Sequence, residues 1–209
     1  MASSFSIIRP QDDGNSQQCS DWADNLIPNL TAQGHTKTVD VDQLTPANTS
    51  NIVAALKSSS DLICYFGHGD EDSWLTNSAI TVDKSNVSAA AGKAVVSVAC
   101  KTGKGLGPDA ITAGVEAWLG FTCKVAVITP HKGVDPIGDA IVDGLSVLAT
   151  AKTMQEAHDE IRSQMDQLVT EYDTGKYALH PAANIGYFAA LALRDHVVVH
   201  GNSGFVPLK

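Results

Sequence analysis

Residues 62–69, LICYFGHG, and residues 94–103, AVVSVACKTG, decide how this chain reads. Each is an apolar run of strand length, β-branched or aromatic in character. Each stops at a small residue beside one reactive side chain, His68 in the first and Cys100 in the second. In a parallel α/β sheet the carboxyl ends of neighbouring strands open onto one crevice, so residues 32 positions apart can face each other there. A histidine meeting a cysteine at such a rim suggests a thiol nucleophile with its base.

Working outward, the same alternation fills the chain. Residues 5–8 form an apolar run closed by Arg9-Pro10 and an Asp-Asp-Gly turn, which predicts an opening strand. Over residues 16–32, Trp22, Leu26 and Leu30 recur at a spacing of four as on a helix face, with Pro28 expected to kink or divide it. A strand is expected over 36–41, then a helix after Pro46 capped by Thr49 or Ser50. Beyond the first quoted strand, residues 74–82 suit a hairpin or edge excursion and 83–91 a helix. The second quoted strand leads into a glycine-rich turn at 103–107, a mixed segment, and a strand over 124–128. Helices over 136–148, 153–172 and 182–193 and a strand over 196–200 complete the series. This predicts a three-layer α/β fold with a mainly parallel sheet, as a single domain over residues 1–209.

Composition narrows the function. The chain has 209 residues, 44% apolar and 18% charged, which is long enough and apolar enough for a substantial core. A net charge of -9 without a Lys/Arg cluster speaks against nucleic-acid or anionic-membrane partners, whose phosphates demand a basic footprint. The opening MASSFSIIRP is too short and too soon polar for a signal peptide, and no apolar run reaches membrane-spanning length, so the expected compartment is the cytoplasm. Four cysteines lie far apart without a CxxC pair, consistent with reduced thiols and with no metal site or cofactor. KTGKG at 101–105 lacks the first glycine of a phosphate loop, and His196 and His200, four apart on a strand, stand too far from one another to share a metal. Cys64 and Cys123 read as packing residues, Trp74 and Trp118 as core or cleft wall, and His131 as a minor candidate at the cleft edge.

Amide hydrolysis needs a nucleophile, a group to manage its proton, and donors for the oxyanion. Cys100 supplies a thiol and His68 an imidazole. Gly69 has no side chain to obstruct its N–H, so with the amide of Cys100 it is the expected oxyanion hole.

CYFGHG at 64–69 and VSVAC at 96–100 together resemble the caspase-like cysteine peptidases of clan CD: a hydrophobic strand ending in His-Gly, a spacer, and a second strand ending in Ala-Cys. ACKTGKG at 99–105 looks like the Ala-Cys-x-Thr-Gly turn of gingipain-like and CHAT-domain members, and GHGDEDSWL at 67–75 carries a tryptophan that often trails the histidine in gingipain-like sequences. The likeness spans roughly residues 60–160. It implies a caspase-like fold, Cys100 as nucleophile, His68 as general base and acid, and a cysteine endopeptidase acting on protein or peptide through an acyl-thioester. Asp70, Trp74, Lys101 and Thr102 are the expected substrate contacts, Asp70 with its acidic neighbours as a possible attraction for basic substrates. Residues preferred before the scissile bond differ among members and are not legible here, nor is the oligomeric state. Two other readings stay open: a caspase-like module that binds a protein partner without turnover, and a flavodoxin-like domain holding a small ligand at the same rim.

Overall fold

The computed structural model describes residues 3–42, 47–128 and 133–209. In chain order these form β1 (Ser4–Ile8), α1 (Gly14–Ala32), β2 (Thr36–Val41), α2 (Thr49–Leu56), β3 (Leu62–Phe66), β4 (His68–Gly69), β5 (Trp74–Thr76), β6 (Ala79–Val82), β7 (Ala94–Val98), α3 (Leu106–Thr112), β8 (Ala117–Phe121), α4 (Pro136–Ser146), α5 (Met154–Asp173), α6 (Ala183–His196) and β9 (Val197–Gly201).

A six-stranded sheet runs in the order β2-β1-β3-β7-β8-β9, parallel throughout except for the antiparallel edge strand β9. Strands β3, β7 and β8 are buried along their whole length because helices cover both faces, which is why they read as continuous apolar runs. Period-two alternation divides their side chains between two cores. Cys64, Phe66, Val96 and Val98 pack with α1, α4, α5 and α6 on one face. Ile63, Tyr65 and Val95 pack with α2 and α3 on the other. The three-layer, mainly parallel architecture expected from the sequence is therefore present.

The chain leaves β1 toward β2 on one side and returns to β3 on the other, so β1 and β3 flank the point where strand order reverses. Open α/β sheets place their ligand crevice outside the carboxyl ends of the strands at such a point. Arg9, at the end of β1, secures the helix that starts there. Its buried guanidinium meets Asp24 of α1 and takes Asp40 of β2 at 2.8 and 2.9 Å, tying helix to sheet edge.

Several elements differ from expectation. Pro28 does not divide α1, which is continuous from Gly14 to Ala32. It lies on the solvent face, away from the buried stripe of Trp22, Leu26 and Leu30, where water can serve the carbonyl left without an N–H. The expected helix at 83–91 shrinks to one 3-10 turn, Val87–Ala90. Asp83 Oδ1 takes the amide of Ser85 and Asn86 bonds Thr81 O, and such side-chain bonds compete with helix formation. The cap of α2 is Asn48, whose side chain accepts from Asn51 N. The strand expected at 124–128 is absent: the strand is β8, and residues 124–128 run irregularly beyond its end. His196 ends α6 rather than opening β9.

Candidate active site

The register of β3 against β7 pairs Leu62 with Ala94 and Phe66 with Val98, an offset of 32 residues. That is also the spacing of His68 from Cys100. Two residues past the last pair, the two reactive residues lie beyond the ends of adjacent strands and line one cleft.

Beyond β3 the chain turns into a three-stranded antiparallel sheet, β4-β5-β6. Gly67 N still bonds Val98 O at 3.2 Å, and the buried Tyr65 hydroxyl stands 2.7 Å from His68 O and 2.9 Å from Leu75 O, fixing the backbone of the histidine. The glycines either side are required by crowding. A Cβ at Gly67 would lie 2.9 Å from Pro10 Cγ, and one at Gly69 2.8 Å from Thr102 Cγ2 and 2.9 Å from Ala99 Cβ. The histidine turn is thus packed between the end of β1 and the cysteine turn.

Cys100 is half-buried and followed at once by Lys101 in the left-handed region, φ 60°. The tight turn is held by Lys101 N to Cys123 O at 2.8 Å and Gly103 N to Phe121 O at 2.9 Å, while His200 Nε2 meets Gly103 O at 2.7 Å. The thiol shares a cleft of about 120 Å³ with His68. Burial pushes the thiols of Cys19 and Cys64 up to about 12 and that of Cys123 to about 11, so these three stay protonated at neutral pH.

Asp13 is the site residue that the sequence reading missed. His68 Nε2 lies 3.0 Å from each of its carboxylate oxygens. The same carboxylate is the N-cap of α1, with Oδ1 accepting from Asn15 N and Ser16 N at 2.9 Å each, and Ser16 Oγ accepts in return from Asp13 N. The Ser16 amide and then the His68 ring hold the Asp13 carboxyl at about 2, well below the usual carboxylate range. The available signal was the Asp-Asp-Gly turn ending β1: the strand-end rule that found His68 and Cys100 applies equally to the neighbouring strand.

Among the expected substrate contacts, Trp74 and Thr102 are corrected by the structure, since both have 0% exposure. Trp74 stacks on Tyr65 at 4.2 Å and on Trp118 at 5.7 Å, with Nε1 donating to Ser97 Oγ at 2.9 Å. The Thr102 hydroxyl bonds the same Ser97 oxygen at 2.9 Å. Both brace the cysteine turn from below. Asp70 is exposed but borders a separate groove with Asp72, Ser73 and Asp83, and Lys101 lies outside the linings of both clefts at His68. Gly69 lines the second of these, a cleft of about 530 Å³ shared with Asp12, Asp13, His68 and Leu75. His131 lies outside the described residues. His196 Nδ1 is 2.9 Å from Thr122 Oγ1, and no cluster of three or more metal-ligating side chains occurs among the described residues.

A mainly parallel three-layer sheet with a histidine and a cysteine at adjacent strand ends is the architecture of the clan CD cysteine peptidases. The chain belongs to peptidase family C25, whose family model matches residues 8–170. Among solved structures it is similar to the Arg-specific cysteine proteinase gingipain R (RgpB), with a TM-score of 0.63 and 16% identity over 98% of this chain and 47% of that one. The complex of Porphyromonas gingivalis RgpB pro- and mature domains gives a TM-score of 0.59 at 16% identity, over 98% of this chain and 48% of that one. The chain thus spans about half the length of the gingipain chains it matches. Among curated proteins none matches it in sequence.

Proposed function

We propose that this chain is a cysteine endopeptidase domain in which Cys100 is the nucleophile, His68 the general base and acid, and Asp13 the residue that orients His68. The observation that carries the reading is the register: His68, held by Asp13, and Cys100 stand at equivalent ends of adjacent parallel strands and line one cleft.

With Nε2 committed to Asp13, the imidazole offers Nδ1 to the thiol. His68 takes the thiol proton and Cys100 Sγ attacks the peptide carbonyl carbon. The oxygen becomes an anion, for which the amides of Gly69 and Cys100 are the candidate donors. When the C–N bond breaks, His68 returns the proton to the leaving amine, and the acyl group remains on sulfur as a thioester. A water deprotonated by His68 then attacks that carbonyl, and the thiol is regenerated. The arginine specificity named for gingipain R belongs to that protein and does not transfer at this identity.

The test is hydrolysis of a peptide panel with Arg, Lys, Asn, Asp, Ala or Ser before the scissile bond, by the full chain and by Cys100→Ala. Cleavage confined to the unsubstituted protein is the expected result. Cleavage that survives the substitution, or a Cys100 thiol that alkylates no faster than an unperturbed cysteine, overturns the assignment.

A further inference from the structure

The acylation step brings the carbonyl carbon of the residue before the scissile bond against Cys100 Sγ. That residue's side chain must therefore lie in a cavity bordering the sulfur. The cleft lined by Cys100 is the one of about 120 Å³, and its other walls are Asn15, Ser16, Cys19, Gly67, Val125 and Val127. None of these walls carries a charge. Asn15 and Ser16 are neutral and polar, the valines are aliphatic, and the Cys19 thiol is kept protonated by burial. Gly67 cannot give way to a longer side chain without meeting Pro10 and Tyr65.

The carboxylates near the site are already engaged: Asp135, whose charge reaches the Cys19 thiol together with that of Asp13, accepts from Gln18, Trp22 and Gly138 N. Asp12 and Asp13 border the larger cleft, where Asp12 Oδ2 accepts from Asn77 N at 2.6 Å and Asp13 is already engaged by His68 and the start of α1. Since His68 passes its proton to the leaving amine, that second cleft receives the segment after the scissile bond. A guanidinium or ammonium driven into the smaller cleft would give up water and, among the described residues, find no carboxylate in its lining and only Asp13 and Asp135, both already hydrogen-bonded, within electrostatic reach, which disfavours it. Size sets an upper limit, because a cavity of roughly 150 Å³ holds about one benzene ring.

We propose that Asn15, Ser16, Cys19, Val125 and Val127 form a primary specificity pocket for an uncharged side chain, no larger than about a benzene ring, immediately before the scissile bond. This pocket rests on the peptidase reading of Cys100 and His68.

The experiment compares peptides that differ only at that position, carrying Ala, Ser, Arg, Lys or Asp, with products identified by mass spectrometry. Ala and Ser peptides are cut with kcat/KM about tenfold or more above the charged ones. Preference for Arg or Lys, or no preference, overturns the pocket and leaves the peptidase reading standing. A second arm does not depend on turnover: peptidyl chloromethyl ketones ending in Ala or Arg are compared by their rates of alkylating Cys100. Faster reaction of the Ala reagent without any peptide cleavage supports the pocket and overturns only the peptidase reading; equal rates or a faster Arg reagent overturn the pocket. No alkylation by either overturns both. Asn15→Asp places a carboxylate in the wall, in the first turn of α1 where negative charge is favoured. The ratio of Lys to Ala cleavage rises about tenfold in this variant, and a ratio that does not move removes Asn15 from the pocket.

Discussion

Asp13→Asn separates the two duties of that carboxylate. Asparagine is as good an N-cap as aspartate, so α1 keeps its start and the fold its stability. The cap also dictates how the new amide sits. Oδ1 must remain on the amides of Asn15 and Ser16, now 2.9 Å away, because both are donors. The NH2 group therefore replaces Oδ2, 3.0 Å from His68 Nε2. There it donates, Nε2 accepts, and the ring proton is moved to Nδ1, the nitrogen that should take the thiol proton. Two magnitudes compete. Side chains 35% and 53% exposed form a solvent-reachable hydrogen-bonded pair, and losing even an ion pair at such exposure costs ~0.2–1 kcal/mol, at most about a fivefold change. Loss of the general base costs about 10²–10⁴-fold. The tautomer effect is the larger, so kcat/KM for peptide cleavage should fall about 100-fold or more with an unchanged melting temperature. Asp13→Ala should add a stability loss of about 0.5–2 kcal/mol from the missing cap. A fall of less than about fivefold in Asp13→Asn, at unchanged melting temperature, would refute the tautomer argument.

Further outcomes follow from the packing. Gly69→Ala puts a Cβ 2.8 Å from Thr102 and 2.9 Å from Ala99; it should cost about 1–3 kcal/mol in denaturant unfolding and lower kcat about 100-fold by moving an oxyanion donor. Ser97→Ala leaves the indole N–H of Trp74 and the hydroxyl of Thr102 without their shared partner; a loss of about 1–3 kcal/mol is expected, with slower alkylation of Cys100 as the readout that its turn has loosened. Acid melts test the Asp13 carboxyl: its native value near 2 lies below the ordinary 3.8, so its stabilisation is complete above the ordinary value and disappears as pH falls through about 2. Across that window Asp13→Asn should lose less stability than the unsubstituted chain, and identical slopes would contradict the assignment.

The strand ends were legible because a run apolar on both faces has few homes other than a covered sheet, and the glycine or alanine closing each run marks where the chain must pass close to its neighbours. Asp13 was not legible, because its meaning depends on β1 lying beside β3, which no local pattern states. β8 was misplaced because Ile111, Val115, Trp118 and Leu119 mimic helical spacing, although α3 ends at Thr112 and Gly114 at φ 96° separates Ile111 from the other three. VAVI at 125–128 has strand composition but serves as cleft wall, with Val125 and Val127 facing the thiol's cavity. Trp74 and Thr102 stood among the expected substrate contacts, although Trp74 also read as core or cleft wall. Trp74 instead stacks between Tyr65 and Trp118, and Thr102 turns in to Ser97.

The loop between the strands that lead to His68 and Cys100 has a further implication for divergence within this architecture. Its hairpin tip, Asn77 and Ser78 at φ 50° and 61°, forms the rim of the cleft beyond the imidazole and is remote from the β3–β7 ladder. Lengthening or shortening that tip would change the count of residues separating histidine from cysteine while leaving their alignment intact. Chains of this design are therefore free to remodel the cleft beyond the imidazole without relocating either reactive group, and a search for kin by fixed spacing would pass over them.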